Sequence, residues 1–132
     1  MIRLNPEQRV FVTERHLATL TTSRADGSPH VVPVGFTWDA DLGLLRITTR
    51  DGSVKVRNIE AAGEAARAAV CQLDGGRWLT FEGAISVVRD PEEVTEAMRR
   101  YERRYRALTP DPRRVVLRLV VDKVMGSDYM VL

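Results

Sequence analysis

The sequence is poor in the groups that most often carry chemistry by themselves. It has one cysteine, Cys71, so no internal disulfide framework can form, and its apolar neighbours predict a buried thiol. The two histidines, His16 and His30, are far apart and have no cysteine partner, so no metal-ligand spacing is present. No serine lies in a readable Ser–His–Asp arrangement. We therefore assign no metal site and no catalytic residue.

Long apolar runs and a strong excess of one charge are also missing. No stretch approaches the roughly 18 apolar residues of a membrane span, and the first residues lack the apolar core of a signal peptide. We therefore expect a cytoplasmic protein that is not bound to a membrane. The net charge is +2 and the pI about 9.0, a bias too mild to indicate nucleic-acid binding.

The chain length favours a small domain that associates with a second copy. The 132 residues fit one domain, spanning 1–132. A core of this size leaves little room for a large ligand, because a domain of about this length buries only roughly 65–70% of its unfolded surface. A dimer would supply more enclosed surface.

What the sequence does contain is a series of short strands separated by turn signals. Apolar residues alternate with polar ones, and Asp26-Gly27 is typical of a hairpin turn. Gly83 interrupts one long strand and predicts a bulge or a sharp bend. The pattern predicts six strands, at His16–Arg24, Pro29–Trp38, Leu44–Arg50, Arg67–Leu73, Arg77–Arg89 and Arg114–Val124.

Three helices are predicted around these strands. Asn5 and Asp90, each followed by proline, are typical of helix starts. The predicted helices are Pro6–Glu14, Ser53–Ala62 and Pro91–Arg106. Six strands with bends and short peripheral helices indicate a mainly β (α+β) fold built on a small antiparallel barrel.

The segment R-D-G-S-V-K-V-R-N, residues 50–58, joins a predicted strand to a predicted helix. Gly52 permits a tight turn, Ser53 can cap the helix, and free backbone N–H groups at a helix start favour an anion. Lys55 stands out because the chain has only two lysines among 20 basic residues. The segment fits a phosphate site, with Arg57 as a further cation, and it equally fits a capped helix with solvated basic side chains.

The order and spacing of several segments resemble the split β-barrel flavin-binding family that includes pyridoxamine 5′-phosphate oxidase. Within it, the sequence is most similar to the subgroup of biliverdin reductases that depend on the deazaflavin coenzyme F420. The likeness covers nearly the whole chain. The matching segments are residues 15–39, 48–59, 74–83 and 105–116, with R-W-L-T-F-E-G and P-D-P-R-R-V-V weighing most.

This resemblance implies a six-stranded split barrel and a homodimer with cofactor sites at its interface. Ser53 and Lys55 would hold the cofactor phosphate, and Arg77 would bind the substrate. Pro33 has no N–H to offer the ring, so its neighbours would supply ring contacts. The implied cofactor-binding residues are Val32, Pro33, Val34, Gly35, Thr48, Thr49, Arg50, Ser53, Lys55, Val56, Arg57, Asn58 and Trp78.

The activity implied is hydride transfer from reduced F420 to the central methine carbon, C10, of biliverdin, which yields bilirubin. Three alternatives stay open. The chain could reduce other conjugated acceptors such as quinones or enones, it could be an FMN-binding oxidase of the pyridoxamine phosphate type, or it could carry a flavin or F420 without catalysis. FMN and F420 share a ribityl phosphate, so the phosphate segment does not distinguish them.

Overall fold

The computed structural model describes residues 1–131. Its elements follow one another along the chain with short connections, and Gly63–Ala65 forms a 3-10 turn after the second helix. The helices are α1 (Pro6–Phe11), α2 (Val54–Ala62), α3 (Pro91–Arg104) and α4 (Asp128–Val131). The strands are β1 (Ala18–Ser23), β2 (Pro29–Val34), β3 (Phe36–Asp39), β4 (Leu44–Arg50), β5 (Arg67–Asp74), β6 (Arg77–Val88) and β7 (Arg114–Gly126).

All seven strands form one antiparallel sheet whose two edges are joined by a single residue. The strand order is β2-β1-β5-β6-β7-β4-β3, so β2 and β3 lie at opposite edges although only Gly35 separates them in sequence. The sheet must therefore curl until its edges meet. The predicted antiparallel barrel with peripheral helices is confirmed.

The predicted number of six strands is wrong, because the run Pro29–Trp38 divides at Gly35. Before the break, Val34 pairs with Ala18 of β1, and after it Phe36 pairs with Ile47 of β4. A β-carbon at position 35 would lie 3.0 Å from the ring of Tyr101. The packed tyrosine ring leaves no space for a side chain at position 35, which explains the glycine. The sequence does not signal the change of partner strand, because the residues on both sides of Gly35 are typical of strands.

The bulge predicted at Gly83 is confirmed. The register between β6 and β7 shifts between Glu82 and Gly83, and a β-carbon at Gly83 would overlap the backbone carbonyl of Val120. The close approach of two backbones excludes any side chain there. The bulge increases the bend that closes the barrel.

The barrel interior is apolar, and helices cover it from different sides. Fully buried side chains come from every long strand, among them Leu20, Val70, Phe81 and Leu117. Helix α1 ends at Phe11, three residues before its predicted end at Glu14. None of the helices in residues 1–131 combines the length and the apolar character needed to cross a bilayer.

The strands give the barrel two distinct ends. β6 runs from Arg77, at the β5–β6 hairpin, to Val88, and its 12 residues span roughly 35 Å at about 3.3 Å per residue. α2 lies at the Val88 end, which we call the α2 end, because Arg89 binds Asp51, just before α2, and Glu60 within it. We call the other end, at the β5–β6 turn, the hairpin end.

Candidate functional site

The turn between β4 and α2 has the geometry that its sequence predicts. Gly52 has a φ of 79°, a left-handed conformation that favours glycine. Ser53 is the N-cap of α2, and its hydroxyl accepts a hydrogen bond from the backbone N–H of Val56 at 3.5 Å. The chain therefore presents the start of a nine-residue helix immediately after a strand, with its positive dipole end at the surface.

Lys55, in the first turn of α2, is a partly buried cation that no acidic side chain neutralises. Within residues 1–131, no carboxylate oxygen lies within 4.0 Å of its ammonium group. Burial lowers the pKa of Lys55 below its ordinary value, since removal from water disfavours the charged form. A cation held in this way beside a helix N-terminus is suited to an incoming anion.

Other residues of the segment have different surroundings. Asn58 donates a hydrogen bond from Nδ2 to the hydroxyl of Thr22 at 3.1 Å, which ties α2 to β1. Arg57 is exposed. Val56 is fully buried in the core, so its side chain anchors the helix and does not face a ligand at the surface.

Arg89, which the sequence did not indicate, clamps the turn and the helix together. Its guanidinium donates to both carboxylate oxygens of Asp51 at 2.8 Å and to Glu60 at 2.8 and 3.0 Å. This pairing lowers the pKa values of Asp51 and Glu60. It also commits Asp51 and Glu60 to Arg89, so they do not neutralise Lys55. Because 38 residues separate Asp51 from Arg89, no local sequence pattern signals the contact.

The end of β4 borders a polar cavity. Extending the β3–β4 register past the pair Phe36–Ile47 sets Gly35 opposite Thr48. Thr49 and Arg50 line a cavity of about 370 Å³ together with Pro110, Asp111 and Arg114. Within the described residues, the buried Nε of Arg114 has no hydrogen-bond partner, although its Nη2 donates to the carbonyl of Thr109.

The sequence-predicted cofactor residues fall into two groups. Thr48, Thr49 and Arg50 end β4 and lead through the turn to Ser53 and Lys55, whereas Val34, at the end of β2, is level with Ala18 and, through it, with Gln72. On β2, Val32 is partly buried, Pro33 is exposed and Val34 is buried. Since β2 is an edge strand, alternate backbone groups along it are free of sheet pairing.

Arg77 and Trp78 lie away from Lys55 within one chain. Both begin β6 and so lie at the hairpin end, about the length of the barrel from Lys55. The Arg77 guanidinium donates to Glu14 at 2.9 and 3.2 Å, forms a short ion pair with Asp74, and stacks over the ring of Phe11. Arg77 is thus already paired with two carboxylates.

His16 completes a cluster around Arg77 that the sequence did not indicate. Ligand atoms of Glu14, His16 and Asp74 all lie within 4.8 Å of one another. Hydrogen bonds from Arg77 and then His16 lower the pKa of Glu14. The guanidinium supplies the positive charge that a metal ion would bring, so the arrangement is an ion-pair network.

A family model matches nearly the whole chain. It is described as "Pyridoxamine 5'-phosphate oxidase" and matches residues 4–127. The chain belongs to the pyridoxamine 5'-phosphate oxidase family. The family resemblance drawn from the sequence is confirmed.

One curated relative and one solved structure are similar to this chain over most of its length. The chain is 46% identical over 125 residues to the F420H(2)-dependent biliverdin reductase of Mycobacterium tuberculosis (strain CDC 1551 / Oshkosh), covering 95% of this chain and 89% of that one. A solved structure named F420 Reductase superposes with a TM-score of 0.73 at 26% identity, covering 89% of this chain and 94% of the other.

A further solved structure supports the fold alone. The conserved hypothetical protein Rv2991 from Mycobacterium tuberculosis has a TM-score of 0.80 at 23% identity, and covers 98% of this chain and 87% of its own. The split-barrel architecture is therefore shared along nearly the whole length of the chain.

Proposed function

We propose that this protein is an F420H2-dependent reductase that transfers a hydride to biliverdin and produces bilirubin. The 46% identity with a reductase of that name, spread over 95% of the chain, supports the cofactor and the substrate. The structural observation that carries the proposal is Lys55, a partly buried cation without a carboxylate partner in the described residues, located in the first turn of a capped helix.

The donor set at the α2 end fits a phosphate-bearing cofactor. Lys55 supplies the charge, and the first backbone N–H groups of α2 supply donors that point away from the helix. Ser53, Arg57 and Asn58 add polar groups around the same turn. A lysine binds phosphate as a point charge and tolerates several orientations of the group.

The deazaflavin ring would lie against the edge of the barrel. We place it along Val32, Pro33, Val34 and Gly35 of the β2–β3 break, with Thr48, Thr49 and Arg50 beside it. Arg114 is an addition to the set inferred from sequence, because its unpaired Nε lies in the wall of the adjoining cavity. Arg50 and Arg114 would offset further negative charge on the cofactor.

When bound, reduced F420 would supply the hydride. The chain's own contribution would be to bind and orient, since rate enhancement by positioning requires that the two reacting carbons be held within contact distance. The rigid barrel edge fixes the ring face, and Lys55 fixes the phosphate. An arginine is a natural partner for a propionate of biliverdin, because its planar fork can bind a carboxylate through two parallel hydrogen bonds.

We propose that the active unit is a homodimer. Arg77 and Trp78 lie at the hairpin end, so a site that uses them together with Lys55 needs those of a second chain. Within this site, Arg77 of the partner subunit would exchange one carboxylate partner for a substrate carboxylate. The lone, unpaired Cys71 further supports the proposal of a cytoplasmic location.

An uncharged strip on the outside of the sheet supports the dimer. Five residues on neighbouring strands are directly opposite one another and form a row across one face of the sheet. All five side chains are neutral. The strip consists of Pro33, Thr19, Cys71, Thr80 and Met125. Thr19, Cys71 and Thr80 are small and half-buried, and Pro33 and Met125 at the two ends are exposed, so a second sheet could pack closely on the strip.

Oligomeric state tests the dimer directly. A Thr19→Arg substitution introduces a charge within the strip and should yield monomers in sedimentation velocity, with loss of turnover. Thr95→Arg adds the same charge on the exposed face of α3 and should leave a dimer. A Thr19→Arg protein that remains dimeric would contradict this interface.

Paired titrations with F420 and with FMN test the function. Tight F420 binding with weak FMN binding is expected, followed by oxidation of reduced F420 on addition of biliverdin and a rise of bilirubin absorbance. Tight FMN with weak F420 would move the protein to the oxidase branch of the family. Cofactor binding without turnover by biliverdin, quinones or enones would indicate a carrier.

A further inference from the structure

A second cavity, unrelated to the surface around Lys55, lies between α1, β3 and α3. Its volume is about 350 Å³, within the range of small-molecule sites. The residues that matter most in its wall are Arg9, Val12, Thr37, Trp38, Arg103 and Arg104. None of them belongs to the proposed cofactor or substrate set.

Two of its arginines are free to bind an anion. Arg9, from α1, and Arg103, from α3, are exposed, and no carboxylate oxygen of residues 1–131 lies within 4.0 Å of either. Arg104 is buried behind them, and within residues 1–131 it donates only to neutral oxygens: the backbone carbonyls of Glu14 and Phe36 and the side-chain oxygen of Gln72. Its charge is therefore not neutralised by an acidic side chain.

A fourth arginine in the wall is already paired. Arg100 donates to Glu96 at 2.7 Å and lies 3.4 Å from Asp39. The cavity as a whole keeps an excess of positive charge in a partly enclosed space, where charge–charge attraction is stronger than in open water.

The opposite wall is apolar and fixed in place. Trp38 stacks on the buried Phe81 with a ring separation of 6.1 Å and an interplanar angle of 24°, and Val12 is buried beside the cavity. Thr37 lies in the same wall, and within the described residues its buried hydroxyl has no hydrogen-bond partner. An unpaired buried hydroxyl is unfavourable, and a polar ligand atom would relieve it.

An adjoining cavity of about 390 Å³ shares Arg9 and Trp38 but contains Asp41. That carboxylate makes the adjoining side less favourable to an anion, despite Arg3. The negative group of a ligand is therefore best accommodated between Arg9 and Arg103, and its apolar body against Trp38 and Val12.

We propose that this cavity binds an aromatic carboxylate, separately from the cofactor. The carboxylate lies between Arg9 and Arg103, which reach it from two different helices, and the ring packs on the indole of Trp38. The site does not depend on the proposed reductase activity, because it shares no residue with the α2 end.

Titration with 3-phenylpropionate tests the site. In a Trp78→Phe background, Trp38 is the remaining tryptophan and reports binding by quenching of its fluorescence. Arg9→Gln and Arg103→Gln should each raise Kd about ten-fold, the loss expected for one hydrogen bond to a charged group. Both side chains are exposed, so neither substitution removes a buried contact.

Three controls make the result decisive. Arg106→Gln removes an equal charge just beyond α3 and should leave Kd unchanged, and uncharged 3-phenylpropionamide should bind far more weakly. Amide chemical shifts should move at Thr13, Trp38 and Arg103, and saturating F420 should not displace the probe. Absence of saturable binding, equal losses in Arg106→Gln, or shifts centred on Ser53–Lys55 would each overturn the proposal.

Discussion

Cations removed from water in two regions of the molecule differ in whether acceptor groups of the same chain bind them. Beneath α3, Arg46 is 5% exposed and binds Asp39 and Glu93, each at 2.6 Å. Nearby, Arg104 is held by backbone carbonyls and Gln72. At the α2 end, Lys55 is partly buried, and the two nearby carboxylates, Asp51 and Glu60, are bound by Arg89.

The difference separates cations that hold the fold together from a cation that is available to a ligand. A buried charge is stable only when opposite charge or hydrogen bonds offset its desolvation. Arg46 meets that condition within the chain. Lys55 does not, and an arriving phosphate would complete its surroundings. Arg46→Met tests the paired cation, the two Lys55 predictions test the unpaired one, and Arg77→Ala tests a paired cation at the surface.

The largest effect is expected for Arg46→Met. Removing this guanidinium takes the shortest ion pair from the buried Asp39 and the partly buried Glu93, and leaves them only the longer contacts with Arg100 and Arg118. The unfolding free energy should fall by about 3–5 kcal/mol. Urea denaturation at pH 7 measures the change. Arg118→Met is the matched control, because Arg118 is half-buried and lies 3.6 Å from the same Glu93, and it should have a small effect of about 0–1 kcal/mol.

Lys55→Met should weaken cofactor binding without lowering stability, the reverse of what is expected for Arg46→Met. Cofactor affinity should fall by about 1.5–3 kcal/mol, the range for hydrogen bonds to a charged group, while the stability of the unliganded protein should not decrease. Titration with F420 and urea denaturation measure the two quantities. Lys123→Met, which removes the other lysine from an exposed position on β7, should change neither. An unchanged dissociation constant in Lys55→Met would remove Lys55 from the phosphate site.

Arg77→Ala should affect substrate more than cofactor or stability. Arg77 is 34% exposed and its pairs with Glu14 and Asp74 are partly solvated, so the loss of stability should be small. The KM for biliverdin should rise more than the Kd for F420. Steady-state kinetics and cofactor titration on the same preparation separate the two. An equal KM for biliverdin in mutant and parent would show that Arg77 only pairs with Glu14 and Asp74 at the hairpin end and does not bind substrate.

The smallest effect is a pH trend in stability caused by Lys55. Its folded-state pKa lies below the ordinary 10.5, so between the two values the unfolded chain binds more protons and stability rises with pH. The protein should therefore gain stability relative to Lys55→Met as the pH approaches 10.5 from below. A saturating phosphate ligand should diminish this trend. Denaturation of both proteins across that window measures it; a constant difference would mean that Lys55 is not desolvated.

Much of the local structure was predictable because it depends on residues near one another in sequence. The Asp-Gly turn, the Ser53 cap, the glycine at position 52 and the bulge at Gly83 all follow from conformational preferences acting over a few residues. The same reasoning identified Lys55 as a candidate phosphate ligand. The break at Gly35 was missed, because β2 and β3 share one β-rich composition and differ only in their partner strand.

By itself, the sequence determined the strands, the turns, the capped helix and the family, since these depend on local preferences and on the order of short segments. Only the tertiary structure decided which charges are paired. The Asp51–Arg89 clamp, the Arg46 cluster and the placement of Arg77 at the hairpin end depend on sheet order, which brings together residues 38, 47 and 63 positions apart. Charge pairing across such separations is set by topology, and topology therefore left Lys55 available for a ligand and Arg77 paired within the fold.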